Sequence, residues 1–319
     1  MSTTRRLVAV LLATTLLSLP AVPAEAAPAG DDRAVNALRD RVLFYNPRDG
    51  SGAVGRLNSN NTFTILQTHP SGYSMTGWTN LVTLSNGQTF WYKKQTGEAG
   101  VGYVNDLNHH VTVMWYGRGS FATGWDHIVR LPNTDRLFFY STSGAAAIGQ
   151  LDGQGRFRTL RTMSGLGYWT HAAGFDEDRV LLYNYSNNSA VVGQIDRFYH
   201  QWATQWTYLP GTFCCSWNHF VHTYSSRLLF YRENSADSTA VGLYGQFYSN
   251  GALEPYWFPH NTFRRFWTRI LYHSSDRFFS YSHFTGAAEV SHISGPNHVL
   301  LTSYPMGEFV QGWDLADWV

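Results

Sequence analysis

Short apolar runs of four or five residues, bounded by Gly, Asn, Ser or Asp, recur along the chain beyond residue 40 and predict β-strands. Leu81 to Leu84, Thr89 to Tyr92, Gly100 to Val104 and Val111 to Tyr116 predict four of them in succession. Many runs are apolar at consecutive positions, as in Leu137-Phe138-Phe139-Tyr140 and Leu228-Leu229-Phe230-Tyr231. A sheet wetted on one side would alternate apolar and polar residues, so continuous runs require cover on both faces.

The runs are periodic. Tryptophans recur at Trp78, Trp125, Trp169, Trp217, Trp267 and Trp313, spaced by 47, 44, 48, 50 and 46 residues. A tyrosine follows 14 or 15 residues later at Tyr92, Tyr140, Tyr183, Tyr231 and Tyr281. A third anchor is a Val/Ile-Gly pair at Val54-Gly55, Val101-Gly102, Ile148-Gly149, Val192-Gly193 and Val241-Gly242, with Val290-Ser291 as a degenerate copy. Repeats of this length, each supplying four strands covered on both faces, predict an all-β fold, a six-bladed β-propeller with four-stranded blades. The chain opens on a tyrosine strand (Val42 to Asn46) and closes on a tryptophan segment (Gly312 to Val319), so the C-terminal strand is expected to complete the N-terminal blade and close the ring. The propeller domain is expected over residues 41–319, after an N-terminal leader over 27–40.

Residues 1–26 carry Arg5-Arg6, the apolar run Leu7 to Leu19 and Ala24-Glu25-Ala26, the three parts of a secretory signal peptide. Secretion to the extracellular space is the expectation, and the run is too short for a membrane span. Those residues hold two of the 23 basic and one of the 22 acidic side chains, so the mature chain has a formal net charge of zero. Without a basic tract there is no footprint for nucleic acid, and membrane insertion is not expected. The two cysteines, Cys214 and Cys215, are adjacent. Two buried thiols are preferred over a strained vicinal disulfide, which stays open beside it.

The Gly-Trp-x-x-apolar opening, the Leu/Phe-Tyr strand and the split terminal blade resemble the tachylectin-type β-propeller lectins. With six repeats rather than that type's five, the chain is also similar to the fucose-binding propeller lectins. The resemblance spans the mature chain in architecture and implies multivalent, non-catalytic binding of extracellular glycans at several equivalent shallow sites, without metal or other cofactor. The alternatives are an extracellular glycan-cleaving enzyme and a protein-binding or inhibitory propeller.

The anchor tryptophans suit core packing better than sugar stacking. The polar residues just after them are the better ligand candidates: Asn80, Asp126, His127, His171, Asn218, His219 and Arg269. His127, His171 and His219 share one repeat position and should stand at one level around the central channel. Zinc is a weaker reading for them than neutral hydrogen bonding, because Asn80, Arg269 and Leu315 complete the ring. The outer-strand aromatics Trp115, Trp206 and Trp257 are candidates for grooves between blades. Hydrolase and metalloprotease signatures such as Gly-x-Ser-x-Gly and His-Glu-x-x-His are missing, so an enzyme is the less favoured reading from motifs alone.

Overall fold

The computed structural model describes residues 40–213, 215–233, 241–258, 263–264, 266–273, 276–294 and 297–319. These residues form 24 strands in six four-stranded antiparallel sheets and no helix. Blade 1 orders β24 (Leu315–Trp318), β1 (Arg41–Tyr45), β2 (Gly52–Leu57) and β3 (Phe63–His69) from the channel outward. Blade 2 is β4 (Asn80–Thr83), β5 (Thr89–Lys93), β6 (Glu98–Val104) and β7 (His110–Tyr116). Blade 3 is β8 (His127–Arg130), β9 (Arg136–Tyr140), β10 (Ala146–Leu151) and β11 (Phe157–Met163). Blade 4 is β12 (His171–Gly174), β13 (Arg179–Asn184), β14 (Ser189–Ile195) and β15 (Trp202–Tyr208). Blade 5 is β16 (His219–His222), β17 (Arg227–Arg232), β18 (Val241–Phe247) and β19 (Leu253–Trp257). Blade 6 is β20 (Arg269–His273), β21 (Arg277–Tyr281), β22 (Ala288–Ser294) and β23 (Asn297–Tyr304). Each inner strand adjoins those of the two neighbouring blades, so the six surround a channel.

The expected closure is present. Leu315, Ala316, Asp317 and Trp318 pair antiparallel with Tyr45, Phe44, Leu43 and Val42. Across the joint to blade 6, Phe63 stacks on Phe279 at 4.1 Å between centroids, and the Tyr304 hydroxyl meets the Phe63 backbone N–H.

The anchors tie each blade to the next. Every anchor tyrosine, Tyr45 included, is buried, and its hydroxyl donates to an oxygen in the segment that leads into the next inner strand or in the adjoining loop. Tyr92 donates to Ala122 O at 2.7 Å, Tyr140 to Gly167 O at 2.8 Å and Tyr231 to Arg264 O at 3.0 Å. The same hydroxyls accept the N–H of the next anchor tryptophan, Trp169 on Tyr140 at 2.9 Å and Trp217 on Tyr183 at 3.1 Å. A buried hydroxyl used as both donor and acceptor stabilises by about 1 kcal/mol per bond and costs more when one partner is removed. Trp78, Trp217, Trp267 and Trp313 are themselves buried, as core packing requires.

In blades 1 to 4 and in blade 6 the outer strand carries one extra residue, a bulge, opposite the third anchor. Gly149 and Gly193 sit there beneath outer-strand rings: a Cβ would stand 2.0 Å from Phe157 and 1.9 Å from Trp202. Blade 5 corrects the sequence assignment. The residue in register with the other glycines is Gly245, beneath Leu253, not Gly242, which lies opposite Tyr231. Blade 5 has no bulge, and its outer strand β19 is only five residues long.

Candidate functional site

The inner strands run from an upper mouth, at their N-terminal ends, to a lower mouth. At the upper mouth Asn80, His127, His171, His219, Arg269 and Leu315 each stand opposite an anchor tyrosine, so they do form one ring. The His127 and His171 rings stack at 5.9 Å, and His171 lies 5.5 Å from Phe220. Burial lowers the pKa of His127 and pushes His171 down to about 4 and His219 to about 3, with Arg269 adding to the shift of His219. All three are therefore neutral at pH 7. Buried Arg269 donates to Thr268 O at 2.9 Å and to Asp314 O. Among the described residues no group of three or more His, Cys, Asp and Glu is placed to hold a metal.

Asp126 and Asn218 stand one position before that ring and have a structural task. The residue after each of the first five anchor tryptophans accepts the N–H of the residue two beyond the tyrosine of its own blade. Thr79 accepts from Lys94 at 3.0 Å, Asp126 from Thr142 at 2.7 Å, Thr170 from Tyr185 at 2.7 Å, Asn218 from Glu233 at 3.3 Å and Thr268 from His283 at 2.9 Å. Asp126 also accepts from the Thr142 hydroxyl and pairs with Lys94, bonds that hold its pKa below the usual carboxylate value against burial. In the closing blade the donor position is Pro47, which has no N–H. Asp314 is thereby released and lies 3.2 Å from His283 Nδ1 instead.

Trp115, Trp206 and Trp257 are not brought to either mouth. They lie on outer strands, 43%, 41% and 49% exposed. Trp115 packs edge-on against Trp78 at 5.6 Å and Trp257 lies 5.9 Å from Trp217, so blade contacts occupy part of each ring. Cys215 is disulfide-bonded, which corrects the reading of two free thiols as far as this residue goes; Cys214 lies outside the described residues.

Within the channel, concave space lies toward the other end. A cavity of about 240 Å³ inside the channel touches all six inner strands, and one of about 180 Å³ opens at the lower mouth. Both are lined by Arg130, His222, Tyr272 and Trp318. Register places Thr83, Arg130, Gly174, His222, Tyr272 and Trp318 at one level, six unlike residues. One layer above, Val82, Val129, Ala173, Val221 and Leu271 are apolar, and the sixth member is Asp317.

Asp317 accepts the Thr83 N–H at 2.7 Å through Oδ2 and the Trp318 N–H at 2.9 Å through Oδ1. Burial raises its pKa; Arg130 and the two amides oppose this without cancelling it. His222 is pushed down to about 4 by burial. Its Nε2–H donates to Ser225 O at 3.0 Å, which leaves Nδ1 as the lone-pair nitrogen. On the rim, His273 Nε2 meets Asp40 Oδ1 at 2.5 Å, and its ring packs edge-on against Trp318 at 5.1 Å. Burial lowers the His273 pKa more than Asp40 raises it. A partly buried acid shifted up and an imidazole shifted down lining one cavity are groups that can hold and release protons there.

Sequence reasoning missed Arg130, His222, Tyr272, His273 and Asp317. A signal was available: four residues past each anchor tryptophan the chain reads Val, Val, Ala, Val, Leu and then Asp.

No protein-family model matches the chain, and no curated protein matches it. Solved structures do. A Bacteroides fragilis protein provisionally assigned as a 6-phosphogluconolactonase is 8% identical, with a TM-score of 0.58 over 88% of this chain and 97% of its own. A Bacteroides uniformis protein of the same provisional assignment is 9% identical, with a TM-score of 0.57 over 88% and 99%. A Lactobacillus plantarum protein is 12% identical, with a TM-score of 0.55 over 87% and 98%. At such identities the likeness is one of fold, and the fold is a six-bladed β-propeller. The expectation of a multivalent lectin is corrected here. The two propellers above that carry an activity in their names carry a provisional lactonase assignment. The physical reason agrees: the ring after the tryptophans differs from blade to blade, two of the candidates cap loops, and the channel cavities are lined by unlike residues from the six blades rather than by six equivalent sites.

Proposed function

We propose that the chain is a hydrolase that opens a small sugar-derived ester or lactone at the lower mouth of its channel. The observation that carries this reading is the cavity in which Arg130, His222 and Asp317 meet at the layers where the repeat gives way to unlike residues. The fold neighbours suggest the substrate class. In the proposed step water adds to the ester carbonyl while His222 Nδ1 takes its proton. Negative charge gathers on the carbonyl oxygen, and the Arg130 guanidinium is the cation at hand. The ring C–O bond then breaks, and the imidazolium returns the proton to the departing alkoxide, leaving acid and alcohol. His222 is suited to this because it is unprotonated at any pH well above 4.

The test is acid release from a panel of aldonolactones and sugar esters by the protein spanning residues 27–319. Hydrolysis above the spontaneous rate that disappears in His222→Ala supports the reading. A blank panel, or an unchanged rate in that variant, sinks it.

Export belongs to the same proposal, and residues 1–26 lie outside the described residues. Protein recovered from the medium of an expressing culture should begin at Ala27; intact Met1 in cell-retained protein would count against export.

A further inference from the structure

Arg130 carries five N–H donors, and among the described residues one of them is used, Nη1 to Thr83 O at 3.3 Å. No carboxylate comes within ion-pair distance of it among the described residues, Asp317 included. Trp318 is 8% exposed, lines both cavities with Arg130, and its Nε1–H has no hydrogen-bond partner. A buried indole N–H without an acceptor costs stability, and an arginine fork is the side chain best matched to two oxygens in one plane. The Asp317 carboxylate accepts the Thr83 and Trp318 backbone amides, and it does not fill the acceptor's role in this structure: it is beyond ion-pair distance of Arg130 and does not accept the Trp318 Nε1–H.

We infer that the lower cavity is a carboxylate-binding site, in which the Arg130 guanidinium and the Trp318 indole N–H hold the acid group of a sugar acid. The inference rests on the hydrolase reading in one respect: opening a lactone leaves a carboxylate where the oxyanion stood, so the donors that meet the one meet the other. The acid product then binds as an anion and competes with the neutral substrate.

Asp317 sets how this binding responds to pH. It lines the channel cavity with Arg130 on β8, His222 on β16 and Tyr272 on β20 and accepts the N–H of Thr83 on β4, while His273 on β20 lines the adjoining lower cavity. A second negative group entering the cavity is repelled by ionised Asp317 and accepted when that carboxyl is protonated. Affinity for the anion therefore rises as pH falls, and Asp317→Asn removes the dependence.

The experiment is calorimetric titration of the protein with gluconate, inorganic phosphate and glucose as separate probes. One gluconate should bind per chain, about tenfold or more weaker in Arg130→Gln, with partial recovery in Arg130→Lys, which restores charge without the fork. Trp318→Phe should weaken it several-fold, Asp317→Asn should tighten it at pH 7, and His127→Ala at the opposite mouth should leave it unchanged. Melting temperatures of the variants separate lost binding from lost folding. Absence of gluconate binding, equal affinity in Arg130→Gln, or glucose or phosphate binding as tightly as gluconate would overturn the carboxylate assignment. Gluconate binding that needs Arg130, without lactone hydrolysis, removes the hydrolase reading and leaves the site. Hydrolysis without it does the reverse.

Discussion

The two mouths of the channel are built from the same six strands, yet their polar residues are spent differently. At the upper mouth Asp126, Asn218 and the threonines at their position each tie the entry of an inner strand to a loop of its own blade, and the histidines are neutral beside packed aromatics. At the lower mouth Arg130 keeps unused donors and His222 a free lone pair, and Asp317 replaces an apolar residue. Polar character repeated from blade to blade fastens each inner strand to its own hairpin, whereas polar character that breaks the repeat marks the place where the ring can do chemistry.

The largest effect should come from removing the strand that serves both mouths. Deleting Leu315 to Val319 strips β1 of its inner partner and takes Asp317 and Trp318 with it, so soluble protein with a cooperative melt should be lost. Retention of that melt would show that the two ends do not depend on one ring. Next in size, His222→Ala should lower kcat by about 10² or more, the scale of a lost general base, while His127→Ala changes it less than about twofold. Equal losses from the two substitutions would erase the distinction between the mouths.

Stability should show the opposite pattern. Asp126→Ala removes two bonds to Thr142 and leaves Lys94 without its partner, a cost of roughly 1–3 kcal/mol in chemical denaturation, with hydrolysis intact. The smallest effect concerns acid. His110, His171 and His222, near 4, and His219, near 3, lie below the ordinary histidine value, so the unfolded chain binds more protons than the folded one between about pH 6.5 and 4. Their stabilising contribution is complete above about 6.5 and is lost as pH falls through that window, by up to about 1.4 kcal/mol per unit for each group. His171→Gln with His219→Gln should make the fall in melting temperature shallower. An unchanged acid limb would mean that those two rings do not carry it.

The fold was legible because its determinants are local and repeated. Tryptophan and tyrosine anchors recur with nearly constant spacing, and the register places every tyrosine opposite the residue two beyond a tryptophan. One anchor misled: Val241-Gly242 matches the dipeptide three residues before the glycine that lies beneath an outer-strand side chain, and only pairing with β17 reveals Gly245. The upper ring was legible as a level but not as a function, since sequence does not tell a ligand group from a cap. Asp126 looks like either until its bond to the Thr142 N–H is seen. The lower site was hidden because Arg130, His222 and Asp317 are scattered over nearly 190 residues and meet only when the ring closes.

That β1 pairs with β24 also fixes the order of events during synthesis. Three strands of the first blade are translated before any other, but its innermost strand follows the other five blades, so that blade waits with one edge open. Intermediate species of this kind expose unpaired strand edges and apolar surface while they wait. Under the proposed export the delay would serve the chain, since a propeller that cannot close before β24 is made stays threadable until then. Moving Leu315 to Val319 to the N-terminus by circular permutation should let the first blade form early, at the expense of that export competence.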